Sequence, residues 1–298
     1  MSEPVPAELA AIRARRHPLL VVVGWGWFAL LGYFAATPFH AIARHAYGRH
    51  PRADSVLFEA GAYDLLELAL KSEGALPAAV AAAMALLVLV SLAGHVPLAM
   101  AMTQLAFREE GRRRWLPLRT LAARALEVFL RFLGVWVLAL LAKGVLVTLG
   151  IWLGSVLARN RAEAWGWARA EQAGLVVVAL FAIGATAIHV TEDLARAEII
   201  TTDARFASAW TRALAVMTAR RGAPVLAWAW RALVGGVAVV VVLVLVPMFP
   251  VGVAGTLLAL LAHQLAVGLR VALRASWLCF ALRGARARAP AEVEISPQ

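Results

Sequence analysis

Residues 237–246 read VAVVVVLVLV, an apolar run with no polar break and no alternation. It lies in one of several nearly charge-free stretches of roughly 18 or more residues, each long enough to cross about 30 Å of hydrocarbon as a helix. In lipid every backbone N–H and C=O must find a partner within the protein, so only helices and closed barrels span. Barrel strands alternate apolar and polar residues over about ten positions, and these runs do not. The fold class expected is therefore an all-α integral membrane protein. Charged residues make up only 16% of the chain, against about 25% in soluble domains.

About six transmembrane helices are expected, near 19–36, 77–102, 132–157, 172–190, 224–247 and 252–270. They form a single polytopic domain over 1–290, followed by a disordered tail at 291–298. The net charge of +11 is almost all arginine, since Lys71 and Lys143 are the only lysines. Arginines cluster before span one and after spans two, four and six. With alternating spans these segments share one side, which the positive-inside rule makes cytoplasmic. Both termini are thus expected in the cytoplasm, and the protein in a bacterial inner membrane. Arginines that flank apolar runs suit anionic lipid headgroups, so lipid rather than nucleic acid is the expected partner. No small-residue cleavage motif follows the first run, which is expected to stay as an anchor. Cys279 is the only cysteine, which excludes an internal disulfide.

Two segments between spans read as amphipathic interfacial helices. In 113–131, with the first residue of the next span, Leu118, Leu121, Ala125, Phe129 and Phe132 recur at steps of three and four, with Arg124, Glu127 and Arg131 on another face. In 204–219 the stripe is Phe206, Trp210, Ala213, Leu214 and Met217, opposite Arg205, Ser208 and Arg212. Basic amphipathic helices with aromatics suit the headgroup boundary, so Arg124, Arg131, Phe206, Trp210 and Arg212 are the membrane-interface candidates. Packing against the bundle is the alternative. RALEVF at 124–129 and RALAVM at 212–217 suggest a parallel repeat of span, helix and span over 77–157 and 172–247.

DLARAEIITTDARFASAWTRAL and the loop GRHPRADSVLFEAGAYDLLELAL resemble uncharacterised bacterial polytopic membrane families of the domain-of-unknown-function type. The likeness extends loosely to the membrane domain that accompanies some glycerophosphodiester phosphodiesterases. It implies alternating spans and arginine-bearing helices. No phosphodiesterase catalytic domain is present, so that activity is not implied.

Lys143 lies 11 residues after Phe132, about 17 Å along a helix. An ionisable group at that depth is costly and marks a functional candidate; snorkelling of its stem is the alternative. His95, beside the helix-bending Pro97, and His263 with Gln264 could join Lys143 in an intramembrane polar pathway. The competing reading is isolated interhelical hydrogen bonds. No carboxylate is expected at the depth of Lys143, because Glu127, Glu192 and Asp193 lie near the cytoplasmic boundary. In HVTEDLAR, His189, Glu192, Asp193 and Arg196 share one helical face. They read as helix-end pairs, Glu192 with Arg196 and His189 with Asp193, at the exit of span four. The spacing of His40, His45 and His50 turns them off a shared face, so no metal site is expected there. The segment 55–71 reads as short amphipathic helices over the outer mouth.

No nucleophile elbow, Walker A loop or H-E-x-x-H motif occurs. No catalytic residue, cofactor or metal is expected. The leading functional expectation is a non-enzymatic inner-membrane protein that organises a membrane complex or the local bilayer. A small transporter or permease built around Lys143 is the alternative, and a membrane-embedded lipid-acting enzyme the third. A membrane-protein partner or a second copy of the chain fits the first.

Overall fold

Proline and glycine decide where the helices of this chain stop. The computed structural model describes residues 18–47, 75–109, 115–220, 222–249 and 253–288. Their helices are α1 (Pro18–Tyr47), α2 (Ala75–Ala93), α3 (His95–Glu109), α4 (Leu118–Trp165), α5 (Trp167–Thr202), α6 (Phe206–Ala219), α7 (Ala223–Leu245) and α8 (Val253–Arg286). A 3-10 turn at Val246–Met248 follows α7, and no strand occurs among the described residues. Five stretches are long and apolar enough to cross a membrane: Pro77–Phe107, Leu118–Trp165, Trp167–Thr202, Ala223–Leu245 and Ala254–Arg286. α1 holds a shorter apolar stretch, Val22–Pro38.

The expected kink at Pro97 is a break between α2 and α3 at Gly94. Proline lacks the N–H that would bond back to residue 93, and the break puts His95 in the first turn of α3. Several boundaries differ from the sequence expectation. The loop near 158–171 shrinks to Gly166 alone, at φ 79° and ψ 148°. That backbone region is essentially closed to residues with a Cβ. The expected helix at 113–131 is, from Leu118 onward, continuous with span three, forming a helix of 48 residues. At about 1.5 Å per residue it is roughly 72 Å long, more than twice the hydrocarbon thickness. α5 and α8 likewise run well past their expected ends at 190 and 270. RALEVF therefore sits inside a long helix, whereas RALAVM sits in the separate, 14-residue α6. The expected helices at 55–71 and the tail at 291–298 lie outside the described residues.

The chain divides into two compact units. The first holds the described residues of 95–230 and 276–288. In it α4 and α5 form an antiparallel hairpin, with α3 and α6 packed on its open end. Met102, Leu105, Phe132, Leu194, Ile199, Trp277 and Leu282 are fully or nearly fully buried there. Towards Gly166 the hairpin stands bare, exposing Ile151, Trp152, Leu180 and Ile183. Its seam is small: Gly150, Gly154, Ala162, Ala170 and Gly174 are buried between the two helices. Apolar side chains gain little by leaving lipid for each other, so close backbone approach does the holding.

α5 ends at Asp203, which adopts the left-handed conformation (φ 55°) and donates its N–H to the carbonyl of Ile199 at 3.1 Å. Arg131 donates to both the carboxylate (2.5 Å) and the carbonyl (3.0 Å) of Asp203, and Arg124 adds a bond of 3.1 Å. This clamp ties the α5–α6 corner to α4. The Arg131 hydrogen bond, helped by the charges of Arg124 and Arg131, holds the Asp203 carboxyl below its usual range. A depressed folded value means the contribution is complete above the unfolded carboxylate range and is lost as pH falls through the folded value. Hydrogen-exchange protection of α6 should therefore fall in acid. Asp203→Asn should lower it already at neutral pH and remove the acid step; equal protection in both proteins would count against the clamp.

The second unit holds the described residues of 11–94 and 231–275. Here α1 packs along α2. Trp25 Nε1 donates to Gln264 Oε1 at 2.7 Å, which joins α1 to this unit's part of α8.

Candidate functional site: a buried ion network

Among the described residues, the longest buried run is also rich in charge. Residues 190–199 of α5 are all buried and include Glu192, Asp193, Arg196 and Glu198. The sequence places them at a helix exit, where such pairs face water. The structure instead seals them among α3, α4 and the end of α8. Uncompensated charges there would cost several kcal/mol each, so the partners matter.

Lys143 of α4 donates to Glu192 Oε2 at 2.5 Å. Arg196 Nη2 donates to Glu192 Oε1 at 2.5 Å, one helical turn away. The same nitrogen lies 3.2 Å from His95 Nε2. Arginine has only donors, so His95 accepts there. Arg196 Nη1 reaches Asp193 Oδ1 at 3.5 Å, and Trp277 Nε1 donates to Asp193 Oδ2 at 2.8 Å. His189 lies across both acids, its Nδ1 3.5 Å from Glu192 Oε2 and its Nε2 3.8 Å from Asp193 Oδ2. Two cationic side chains, Lys143 and Arg196, thus meet two carboxylates, Glu192 and Asp193.

Aromatic rings close the network. Phe132 lies under the Arg196 guanidinium at 5.8 Å, a cation–π contact. Trp136 meets His95 edge to face at 5.5 Å, and Trp228 meets His189 at 5.6 Å. A second pair lies further along α5, where Arg288 donates to Glu198 Oε1 through Nη2 at 2.6 Å and Nε at 3.1 Å. Arg286 donates to the carbonyl of Ala106 at 3.1 Å. Arg288, just beyond α8, is thereby fastened to α5, and α8 itself to α3.

The sequence candidates divide accordingly. Glu192 and Arg196 pair as expected, and His189 approaches Asp193. Lys143 and His95 do converge, each on a member of the Glu192–Arg196 pair. The expectation that Lys143 lacks a carboxylate partner is overturned by Glu192. Two helices joined at Gly166 place residues equidistant from it side by side, so Lys143 and the 189–192 turn face each other. An interval of 14 residues between spans three and four, as expected for 158–171, would not fix that register. His263 and Gln264 belong to the second unit, where Gln264 bonds to Trp25 and His263 is exposed. Trp277 and Arg288 carried no sequence motif. Gln104 of α3 is fully buried and accepts the N–H of Leu116 at 3.0 Å.

Among the interface candidates, Arg124 and Arg131 serve the Asp203 clamp. The α4 stripe is shifted: Leu121, Ala125, Val128 and Phe132 are buried, while Leu118 is 71% exposed. In α6 the buried face is Ala209, Ala213 and Val216. Phe206 and Leu214 are exposed, Trp210 is half-buried, and Arg212 is exposed with a 3.4 Å bond to Thr202. Among the described residues no group of three or more His, Cys, Asp or Glu is placed to hold a metal ion. The network pairs carboxylates with cationic side chains and sets an imidazole beside two acids. No protein family, curated protein or solved structure matches this chain.

Proposed function

We propose that this chain is a non-enzymatic, multi-pass protein of a bacterial inner membrane that organises a membrane complex or the local bilayer. In this reading α1 supplies a sixth crossing, both termini are cytoplasmic, and α6 lies in the headgroup layer. One observation carries it. A packed helix ordinarily turns its largest apolar groups inward, but α6 buries only Ala209, Ala213 and Val216. Phe206 and Leu214 are 45% and 44% exposed, beside the exposed Arg205 and Arg212. Bulky apolar groups set among arginines suit acyl chains below and anionic headgroups above. The Asp203 clamp holds this ridge rigidly to α4.

The test replaces Phe206 and Trp210 together with serine in nanodiscs of mixed anionic and zwitterionic lipid. Removing two aromatics takes away more than about 1.4 kcal/mol of apolar burial, so retention of anionic lipid should fall by about tenfold or more. Unchanged retention on native mass spectrometry would sink this reading.

A second reading, a small transporter, is favoured by the meeting of Lys143 and His95 through Glu192 and Arg196. Ionisable groups inside spanning helices often mark ion or substrate paths. Proteoliposomes that show a Lys143-dependent flux would support it over the first.

A further inference from the structure

We infer that the hydrocarbon of the bilayer runs from the Lys143–Glu192 pair to Arg161 and Trp165, and that the tip of the α4–α5 hairpin is an anchor for phospholipid headgroups in the leaflet opposite α6. Two cations mark the ends, and their side chains point apart. Lys143 reaches Glu192, which lies three residues further from Gly166 along α5 than Lys143 does along α4. Its stem therefore runs away from the tip. The Arg161 guanidinium lies over the Trp165 ring, 5.3 Å from its centroid, one turn nearer the tip. A helical side chain leans towards the N-terminus of its own helix, so Lys143 follows that lean and Arg161 goes against it. Long cationic stems near the ends of a spanning helix snorkel to the nearer interface. These two choose opposite ones.

The segment between them has the composition and the length of one crossing. No Asp, Glu, Lys or Arg occurs at 144–158 of α4 or at 172–191 of α5. The side chains turned outward there are apolar: Val145, Ile151, Trp152, Leu180 and Ile183 are each more than half exposed. From Lys143 to Arg161 is 18 residues, about 27 Å of helix. With both stems turned outward, the charged ends reach the borders of roughly 30 Å of hydrocarbon. Beyond Arg161 the surface changes character. Trp165 and Trp167 stand exposed among Arg159, Glu163, Arg169 and Glu171, all exposed as well. Tryptophan gathers at the level of the headgroups, and arginine forks pair with their phosphates. Arg159, two residues inside Arg161, reaches the same layer by its stem.

The other elements of this unit agree with that level. Phe206 of α6 packs on Gly134, where an added Cβ would lie 3.2 Å from its ring. Gly134 is nine residues beyond Lys143 on the side away from the tip. Trp228, near the start of α7, meets His189, which is as far from Gly166 as Lys143 is. α6, held between these two points, lies just past the border, in the headgroup layer. Asp193, Arg196 and Glu198 stand beyond the hydrocarbon too, buried in protein rather than facing lipid. Lys143 is then a border residue, which costs far less than a cation at mid-depth. The placement rests on the reading of the chain as a multi-pass membrane protein, and it is independent of the anionic lipid assigned to α6.

The test reads depth along the hairpin. In a Cys279→Ser background, spin labels are attached to single cysteines that replace Leu130, Val137, Val145, Trp152, Val156 or Ala168. The protein is held in nanodiscs of phosphatidylcholine and phosphatidylglycerol. All six side chains are exposed, so the labels disturb no core contact. The ratio of collisions with oxygen to collisions with a water-soluble nickel chelate rises with depth in hydrocarbon. It should peak at Trp152, midway between Lys143 and Arg161, be lower at Val145 and Val156, and be lowest at Leu130, Val137 and Ala168. The label at Ala168 should also broaden the lipid phosphorus signals more than the label at Trp152. A peak at Val137 overturns the placement, because it returns Lys143 to the membrane interior and favours the transporter reading. Phosphorus broadening no greater from Ala168 than from Trp152 overturns the headgroup anchor. Neither outcome bears on the retention of anionic lipid by α6, so the two readings fail separately.

Discussion

Arg196→Met is expected to lower the stability of the folded protein by about 3–5 kcal/mol, the usual cost of removing one partner from a buried charge pair. The guanidinium touches Glu192, Asp193 and His95 together. Methionine fills a similar volume over Phe132, so the change removes charge and donors while keeping most of the packing. Glu192 then retains Lys143, while Asp193 loses its Arg196 contact and keeps the Trp277 hydrogen bond. Adding Glu192→Gln to Arg196→Met should recover much of the loss, because the stranded charge is gone. Reversible unfolding in mixed micelles, followed by circular dichroism, gives the double-mutant cycle. A cost under about 1 kcal/mol for Arg196→Met would mean that the network does not hold the core. Lys143→Met should cost less than Arg196→Met, because the lysine is half-exposed and its loss leaves Glu192 paired with Arg196.

The helical, membrane-spanning character was legible because it rests on composition and run length, which no tertiary contact can override in lipid. The runs 77–102 and 224–247 fall on α2–α3 and α7 nearly as read. Helix ends were harder to read. A polar residue after an apolar run looks like an exit to water, and HVTEDLAR has that pattern. Yet α5 continues through it to Thr202 because α3, α4 and α8 supply counter-charges and donors. Those partners are far off in sequence: Lys143 and Glu192 are 49 residues apart, Asp193 and Trp277 are 84 apart. Periodicity within one helix shows which residues share a face, as with Glu192 and Arg196. It is silent on what that face meets. The α6 stripe illustrates the same limit, since Phe206 and Leu214 satisfy an apolar periodicity while the core selects Ala209 and Ala213. The Gly166 turn was the recoverable clue, for it fixes the register that pairs Lys143 with α5.

That register makes the α4–α5 seam the other place where one atom should have a large effect. From Lys143 to Trp165 is 22 residues, about 33 Å of helix, close to the hydrocarbon thickness. Over this length the hairpin is nearly bare of other described elements, and the two helices hold each other by backbone proximity. A Cβ built on Gly154 would lie 2.7 Å from the Gly174 carbonyl oxygen and 3.0 Å from Val178. One built on Gly174 would meet the Gly154 carbonyl oxygen at 2.7 Å. Backbone cannot swing aside as a side chain can, so even Gly154→Ala must push the helices apart. It should cost about 1–3 kcal/mol, and Gly154→Leu more. Gly144, with nothing within 4 Å of its added Cβ, provides the control: Gly144→Ala should be neutral or slightly stabilising, since alanine favours helix. Cysteine cross-linking between residues 158 and 170 in a Cys279→Ser background would report the separation directly. Slower cross-linking in Gly154→Ala than in Gly144→Ala is expected. Equal rates would mean that the glycine contact does not set the spacing of the hairpin.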